Sequence, residues 1–376
     1  MSNLNVNSIY DASGGSNAVL YGVAAPANSM GFRNRIINGD MRIDQRNAGA
    51  LYTPTGGAIT YGSVDRWQFA ASQASKFTVQ RNSGSVTPPA GFTNYLGAVS
   101  LSAYSVAGSE QFNISQSIEG FNVADFAFGT ANAVTVTLSF WVRSSLTGTF
   151  GGVLSNDGKN RTYPFTYTIS AANTWEYKTV TVAGDTGGTW NTTTSNGLYV
   201  TFGLGVGSSA SAAAGAWTGT ANIYGATGAT SVVGTNGATF YITGVQLEAG
   251  SVASPFERRD YGRELIMCQR YCFVLAPSET NIRAATSGNY GGTTGYVTTY
   301  LPVSLRGSIS VTVSSVSDFK TEELDGGQQT TTAIGLNAGN GNTPITLSVT
   351  VGSSLANPVN LLTGNTSAKI TYSSEL

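Results

Sequence analysis

Residues 133–144 read AVTVTLSFWVRS, in which Val134, Val136, Leu138, Phe140 and Val142 alternate with Thr, Ser and one Trp. A period of two places one set of side chains against a core and the other in water, the signature of a half-buried strand. Similar runs lie on both sides: RWQFAA (66–71), KFTVQR (76–81), GAVSLSAY (97–104), FNISQSI (112–118), PFTYTIS (164–170), WEYKTVTV (175–182), GLYVTFGLGV (197–206), ANIYGA (221–226) and TFYITGVQLE (239–248). Gly, Pro, Asn and Ser punctuate them, and no helical pattern of 10 to 15 residues separates them. Ten short strands so spaced predict a β-sandwich rather than βαβ units.

Composition narrows the chemistry. The 376 residues hold 19 Lys and Arg, 20 Asp and Glu, 47 Gly and no His. Charge is 10%, against about 25% in an ordinary soluble domain. A net charge of −1, without a large basic cluster, argues against nucleic-acid binding. Without histidine there is no His-assisted nucleophilic catalysis, His-containing zinc site or histidine pH switch. Acidic-pair glycoside hydrolysis would need two carboxylates across a cleft. Asp125, Asp157, Glu176, Asp185 and Glu248 are scattered without a motif, so the expectation is no catalysis and no cofactor. GDTGG (184–188) lacks the lysine and the strand-to-helix context of a phosphate loop. The start shows no signal-peptide pattern and no 18-residue apolar run occurs, so neither export nor membrane insertion is expected, and synthesis in a reducing cytoplasm fits.

The charges are unevenly placed. Residues 186–247 carry none, and their GSSASAAAGAWTGT portion (207–220) reads as a low-complexity loop with Trp217 at its tip or packed back on the sandwich. Glu257, Arg258, Arg259, Asp260, Arg263 and Glu264 then fall together, ahead of Leu265 to Cys268, and predict an amphipathic helix over 257–270. The expected units are therefore an N-terminal segment (1–32), a sandwich (33–256), a helical linker (257–270) and a smaller C-terminal β domain (271–376). In the last unit DFKTEELDGGQQTT reads as a turn-rich stretch between strands. Cys268 and Cys272, both assigned to the helix, are expected to be buried free thiols.

Three stretches together, FRNRIINGDMRIDQRN (32–47) with SVDRWQF (63–69), TWEYKTVTVAGDTGGTW (174–190) and TFYITGVQLEAGSVASPFERRDYGRELIMCQRYC (239–272), resemble a group of tail-fibre or receptor-binding proteins of tailed bacteriophages. The resemblance covers about 33–275. It implies a jelly-roll sandwich similar to carbohydrate-binding modules, a homotrimer in the virion tail, contact with a host-surface glycan or outer-membrane component, attachment to other virion proteins through the N-terminal segment, and no cofactor. The alternative is a purely structural tail or adaptor component. Modules of the resembled type often hold a calcium near the first strand, to which Asn38 and Asp40 would contribute, but Thr243-Gly244-Val245 lacks the carboxylate expected from the last strand. The metal is therefore not expected. Buried pairs among Asp40, Asp44, Arg46, Asp65 and Arg66 are expected instead.

Candidate ligand contacts follow from residue type. Trp190 and Trp217 follow Gly/Thr-rich turns, where an indole face can stack on a sugar ring, with Asp185 and Asn191 supplying directional bonds. Tyr290, Tyr296 and Tyr300 in NYGGTTGYVTTY (289–300) suit an exposed recognition surface. Trp141 and Tyr163 read as core or sheet-face residues. Arg258, Arg259 and Arg263 are candidates for an inter-domain or inter-chain contact, while Phe256, Tyr261, Leu265 and Cys268 are expected to pack the helix on a sheet.

Overall fold

A computed structural model describes residues 32–277, 279–286, 290–338 and 344–376, together with the paired backbone of Val19–Leu20 and Val23–Ala24. The expected attachment role of residues 1–32 thus falls almost wholly outside the described residues. The fold is all-β with one short helix, a jelly-roll-like sandwich and a smaller C-terminal β region.

Two antiparallel sheets form the sandwich. One runs, in spatial order, Thr162–Ile169, Gly148–Ser155, Asn196–Val206, Gln111–Glu119, Gln68–Ala71 and Ala58–Thr60; the other runs Glu176–Val182, Val136–Ser144, Thr239–Ala249, Leu96–Ser100 and Phe77–Arg81. The alternation read at 133–144 sends Val136, Leu138, Phe140 and Val142 into the core, where the Phe140 ring meets Tyr167 and Phe202, each at 5.0 Å between ring centres. Trp67, Phe69, Phe112 and Phe150 complete the filling. Each large side chain so buried contributes roughly 1.5–3 kcal/mol.

The sandwich departs from expectation in three places, one of them the short edge strand Ala58–Thr60, which the sequence reading omits. GTFGGVLS (148–155) is a strand that the sequence reading omits, because its glycines break the β-branched alternation. The glycines are required by packing. A Cβ on Gly152 would lie 2.2 Å from the Thr201 carbonyl oxygen, and one on Gly151 would lie 2.9 Å from the Ala226 Cβ. ANIYGA, expected as a sandwich strand, instead contributes only Gly225–Ala226 to a two-residue parallel pair with Ser211–Ala212. The low-complexity loop is folded back, bridged to the sheet at Thr162 and Thr218, and the residues that follow it pack close to the sheet, Ala226 and Ala229 over Gly151 and Ser231 and Val233 over Gly205. Gly205→Val should therefore displace the 231–233 segment, since a Cβ there meets Val233 Cγ2 at 2.5 Å and Ser231 Oγ at 2.9 Å. The expected cost is about 1–3 kcal/mol, read as a lower urea midpoint and faster proteolysis within 207–237; an unchanged midpoint would contradict this packing.

The helix spans Tyr261–Gln269, shorter than expected. Asp260 accepts the Arg263 backbone N–H at 2.9 Å and caps it, leaving 257–259 outside. Glu264 and Cys268, one turn apart, face inward, and Leu265 packs beside them, whereas Tyr261 is exposed rather than packed on a sheet. Cys272 opens the next strand, Cys272–Leu275, and both thiols are free and buried.

The C-terminal region has its own core, built on Val297, Phe319, Leu347, Val349, Leu361 and Tyr372. DFKTEELDGGQQTT is not a turn-rich spacer: Phe319–Glu323 and Gln328–Ala338 pair antiparallel around a short turn where Gly326 adopts φ +92°.

Scarce charges concentrate where the two regions meet. Arg66, with a side chain 1% exposed, pairs with Glu375, donates to the Ser117 carbonyl at 2.6 Å and lies 3.5 Å over the Tyr271 ring. Arg46 reaches Glu375 at 2.8 Å. Glu119 accepts Arg270 through two bonds of 2.6 and 3.0 Å and the Tyr271 hydroxyl at 2.7 Å. Asp65, buried, accepts the Gln45 backbone N–H at 3.1 Å. The expected pairing of Arg46, Asp65 and Arg66 among themselves is therefore replaced by pairing across the junction.

Candidate functional site

The tryptophans expected as sugar platforms, Trp190 and Trp217, meet at one end of the sandwich. Their rings are 5.5 Å apart, Phe128 lies 4.9 Å from Trp190, and Tyr163 lies 5.3 Å from Trp217. Both are half-buried against the core. Their indole N–H groups are engaged within the chain, Trp190 with Asp185 at 3.2 Å and Trp217 with the Ala183 carbonyl at 2.7 Å. Asp185 is buried and held by both guanidinium arms of Arg161. Burial alone would raise its carboxyl, but the bonds from Arg161, the Gly187 N–H and Trp190 outweigh this and keep it below the usual carboxylate range. Asn191 donates to Asp157 at 3.1 Å and to the Asn196 carbonyl at 3.0 Å. The void beside Phe128, Trp190 and Asn191 measures about 10 Å³, room for one water rather than a sugar ring. The structure thus brings Trp190, Trp217 and Asp185 into one cluster, with half-buried rings and engaged polar atoms.

A second aromatic surface lies on the outer face of the five-stranded sheet. The strand register aligns Tyr177, Trp141 and Thr243 across three neighbouring strands. The Trp141 and Tyr177 rings are 5.4 Å apart and inclined at 50°, and Tyr177 is 44% exposed. Beside Thr243 the register shifts, and Gly244 sits at φ +61°. A Cβ there would lie 2.7 Å from the Phe92 ring and 3.2 Å from Trp141, so this bulge lets Phe92 lie down next to the tryptophan. Phe256 follows at 5.2 Å from Phe92, with the exposed Arg258 guanidinium 4.7 Å above Phe92. Two aromatic pairs, Tyr177–Trp141 and Phe92–Phe256, thus flank Gly244 on this face.

Trp141 is the informative member. Trp67, Trp175, Trp190 and Trp217 all direct their indole N–H to acceptors in the chain. Trp141 alone of the five makes no indole hydrogen bond among the described residues, and it is half-buried. A flat apolar ring with a free donor at its edge suits a partner that offers both C–H surface and hydroxyls. The sequence reading assigned Trp141 to core or sheet face, and the strand face was correct. The missing signal was Tyr177 at the matching register position, which alternation within one strand does not reveal.

The tyrosines of 289–300 divide. Tyr300 is 71% exposed beyond the strand Thr294–Thr299. Tyr296 stands half-buried on that strand with Thr294 and Thr298, opposite Ser348. Tyr290 pairs through its backbone with Gly295, and its side chain lies outside the described residues. Of the three arginines, Arg258 and Arg263 are exposed, whereas Arg259 is enclosed within the chain, donating to the Asn34 and Ile36 carbonyls and flanked by Glu264 at 3.4 Å and Glu257 at 3.5 Å.

The residues considered for a cation are engaged elsewhere. Asn38 bonds the Ile43 backbone through both side-chain atoms, and Asp40 pairs with Arg42 at 2.5 Å. Among the described residues no group of three or more acidic or cysteine side chains is placed to hold a metal, and no helix among them is long and apolar enough to cross a membrane.

Neither a protein-family model nor a curated protein sequence matches the chain. Among solved structures, the chain is similar to the enzymatically active domain of tailspike protein 4 of bacteriophage CBA120, at 12% identity and TM-score 0.30 over 58% of this chain and 21% of that one, so the match spans about a fifth of the tailspike. It is similar to a putative sugar binding protein from Bacteroides thetaiotaomicron, at 12% identity and TM-score 0.33 over 58% of this chain and 100% of that one. A family 11 carbohydrate-binding module from Clostridium thermocellum, in complex with a β-1,3-1,4-mixed-linked tetrasaccharide, matches at 11% identity and TM-score 0.26 over 54% and 98%. These are distant likenesses to tailspike and carbohydrate-binding-module folds.

Proposed function

We propose that this chain is a non-enzymatic, tail-fibre-like protein that displays a glycan-recognition surface in a virion tail. The observation that carries the reading is the half-buried Trp141, whose indole N–H has no partner among the described residues, set beside the exposed Tyr177 on the outer sheet face. Saccharide rings present C–H faces to aromatic planes and hydroxyls to nearby donors. Trp190 and Trp217, near Asp185 and Asn191, and the pair Tyr296 and Tyr300 are proposed as secondary contacts. Weak single contacts of this kind become effective through multiple copies, so the proposal includes a homotrimer, with Arg258 and Arg263 at or near the chain–chain contact.

Binding of the purified chain to an array of bacterial lipopolysaccharides and capsular polysaccharides tests the reading. At least one saccharide should be retained, and Trp141→Ala should weaken it at least tenfold while leaving the urea midpoint within about 1 kcal/mol of wild type, because the ring is not part of the enclosed core. Retention of nothing, or equal retention by the variant, would defeat the proposal. Sedimentation should give three times 38.9 kDa; a monomer would remove the multivalent part.

A further inference from the structure

Arg143 follows Trp141 by two residues on the strand Val136–Ser144, so both side chains leave the same face of the sheet. The register sets Arg143 opposite Tyr241, two positions along from the pairing of Trp141 with Thr243. The arginine is held in place. Its Nε–H donates to the Asn173 carbonyl at 2.9 Å, and its guanidinium lies 5.4 Å over the Tyr241 ring. Tyr241 is itself buried, with Tyr95 at 5.3 Å and Trp175 at 6.5 Å between ring centres. One edge of the guanidinium is thus anchored, while Nη1 and Nη2 make no hydrogen bond among the described residues.

The charge of Arg143 has no ion-pair partner among the described residues, unlike that of Arg66, Arg161 or Arg270. The carboxylates of the two flanking strands are committed elsewhere. Glu176 is held by Lys178 at 2.6 Å and accepts the Ser170 and Ala171 N–H groups. Glu248 is buried and accepts from Gln246 and Ser254. Beyond Gly244 the exposed Arg258, likewise without an ion pair among the described residues, adds a second positive charge. A guanidinium presents parallel N–H groups that match two oxygens of a carboxylate or phosphate, and such charge-assisted bonds are about twice as strong as neutral ones. Next to this fork stand the Trp141 ring, with its unpartnered N–H, and the exposed Tyr177.

We propose that the saccharide taken up on this face is acidic: a sugar ring lies on Trp141 and Tyr177, and its carboxylate or phosphate group is bound by the free edge of Arg143. This rests on the glycan reading above and adds the class of sugar to it.

The full chain and the polysaccharide array test this, each polysaccharide being presented in native form, after reduction of its carboxylates to alcohols, and after removal of its phosphates. Those retained should carry an acidic group, and removing that group should weaken retention at least about tenfold; which of the two treatments does so separates a carboxylate from a phosphate. Arg143→Gln keeps N–H donors but loses the charge, and should bind the native form about as weakly as wild type binds the neutralised one. Arg283→Gln, a change at a 61% exposed side chain in the C-terminal region, should bind like wild type. Retention of native and neutralised forms alike, or of a neutral polysaccharide in a manner that depends on Trp141, would overturn the acidic assignment and leave the glycan reading standing. Unchanged binding by Arg143→Gln would also overturn it, and retention of nothing would defeat both. The treated polysaccharides keep the test independent of how any variant folds.

Discussion

Glu375→Ala is expected to destabilise the protein by about 3–5 kcal/mol, the cost of leaving a buried charge without its partner. Arg66 would keep the Ser117 carbonyl and the Tyr271 ring but lose the one carboxylate paired with it among the described residues, in a position too enclosed for water to replace it. Arg46 would lose the same partner. The measurement is the urea midpoint of the transition that separates the two β regions. Arg66→Met combined with Glu375→Leu should recover most of the loss, since apolar groups of similar volume need no partner. A shift below 1 kcal/mol for the single variant, or no recovery in the double, would show that the pair does not hold the junction.

Asp65→Asn should change how stability depends on pH. Burial pushes the Asp65 carboxyl from its ordinary 3.8 up to about 6, against the pull of the Gln45 hydrogen bonds and the Arg46 charge. A folded-state value above the unfolded one means that the folded protein holds the proton more tightly. The associated stability is fully present below about pH 4 and is lost as pH rises through about 6. The displacement corresponds to about 3 kcal/mol. Relative to Asp65→Asn, wild type should therefore gain stability between pH 7 and pH 5. Asp185 acts in the other direction: its carboxyl is held below 3.8, so its contribution is present at neutral pH and lost as pH falls through and below that value. The two windows do not coincide, and urea midpoints of wild type and Asp65→Asn at pH 7 and pH 5 isolate the first. Parallel curves for the two proteins would show that Asp65 is not protonated in this range.

Much of the fold was legible because alternation is a local signal. Val136 to Val142 announced both their strand and their inward face, and ITLSVTV at 345–351 is a strand with every second residue buried. What escaped was set by contacts between distant segments. The strand at 148–155 is glycine-rich because Gly151 faces Ala226 and Ala229 while Gly152 faces the Thr201 carbonyl and the Phe165 ring, and nothing in the strand itself states that. The helix starts at Tyr261 because Asp260 caps it, although the charge cluster begins earlier. The candidate site was half legible: aromatic residues were the right type to examine, but neighbours in space decided which rings remain free. Trp190 and Trp217 sit after turns, as a display residue would, yet find Phe128, Asp185 and each other. Trp141 sits in a strand, as a core residue would, yet finds Tyr177 and an open face.

The Arg46–Glu375 bond joins residues 329 positions apart. A contact of that span forms only after the intervening sheets have closed, because until then the chain entropy of bringing its ends together opposes it. The clasp should therefore be the last element to assemble and among the first to open, independently of how stable either sheet region is. Exchange of amide protons around Tyr271 and Ser374, whose backbones are hydrogen-bonded at 2.8 Å across this seam, would then report the opening of the joint while the strands on either side remain protected.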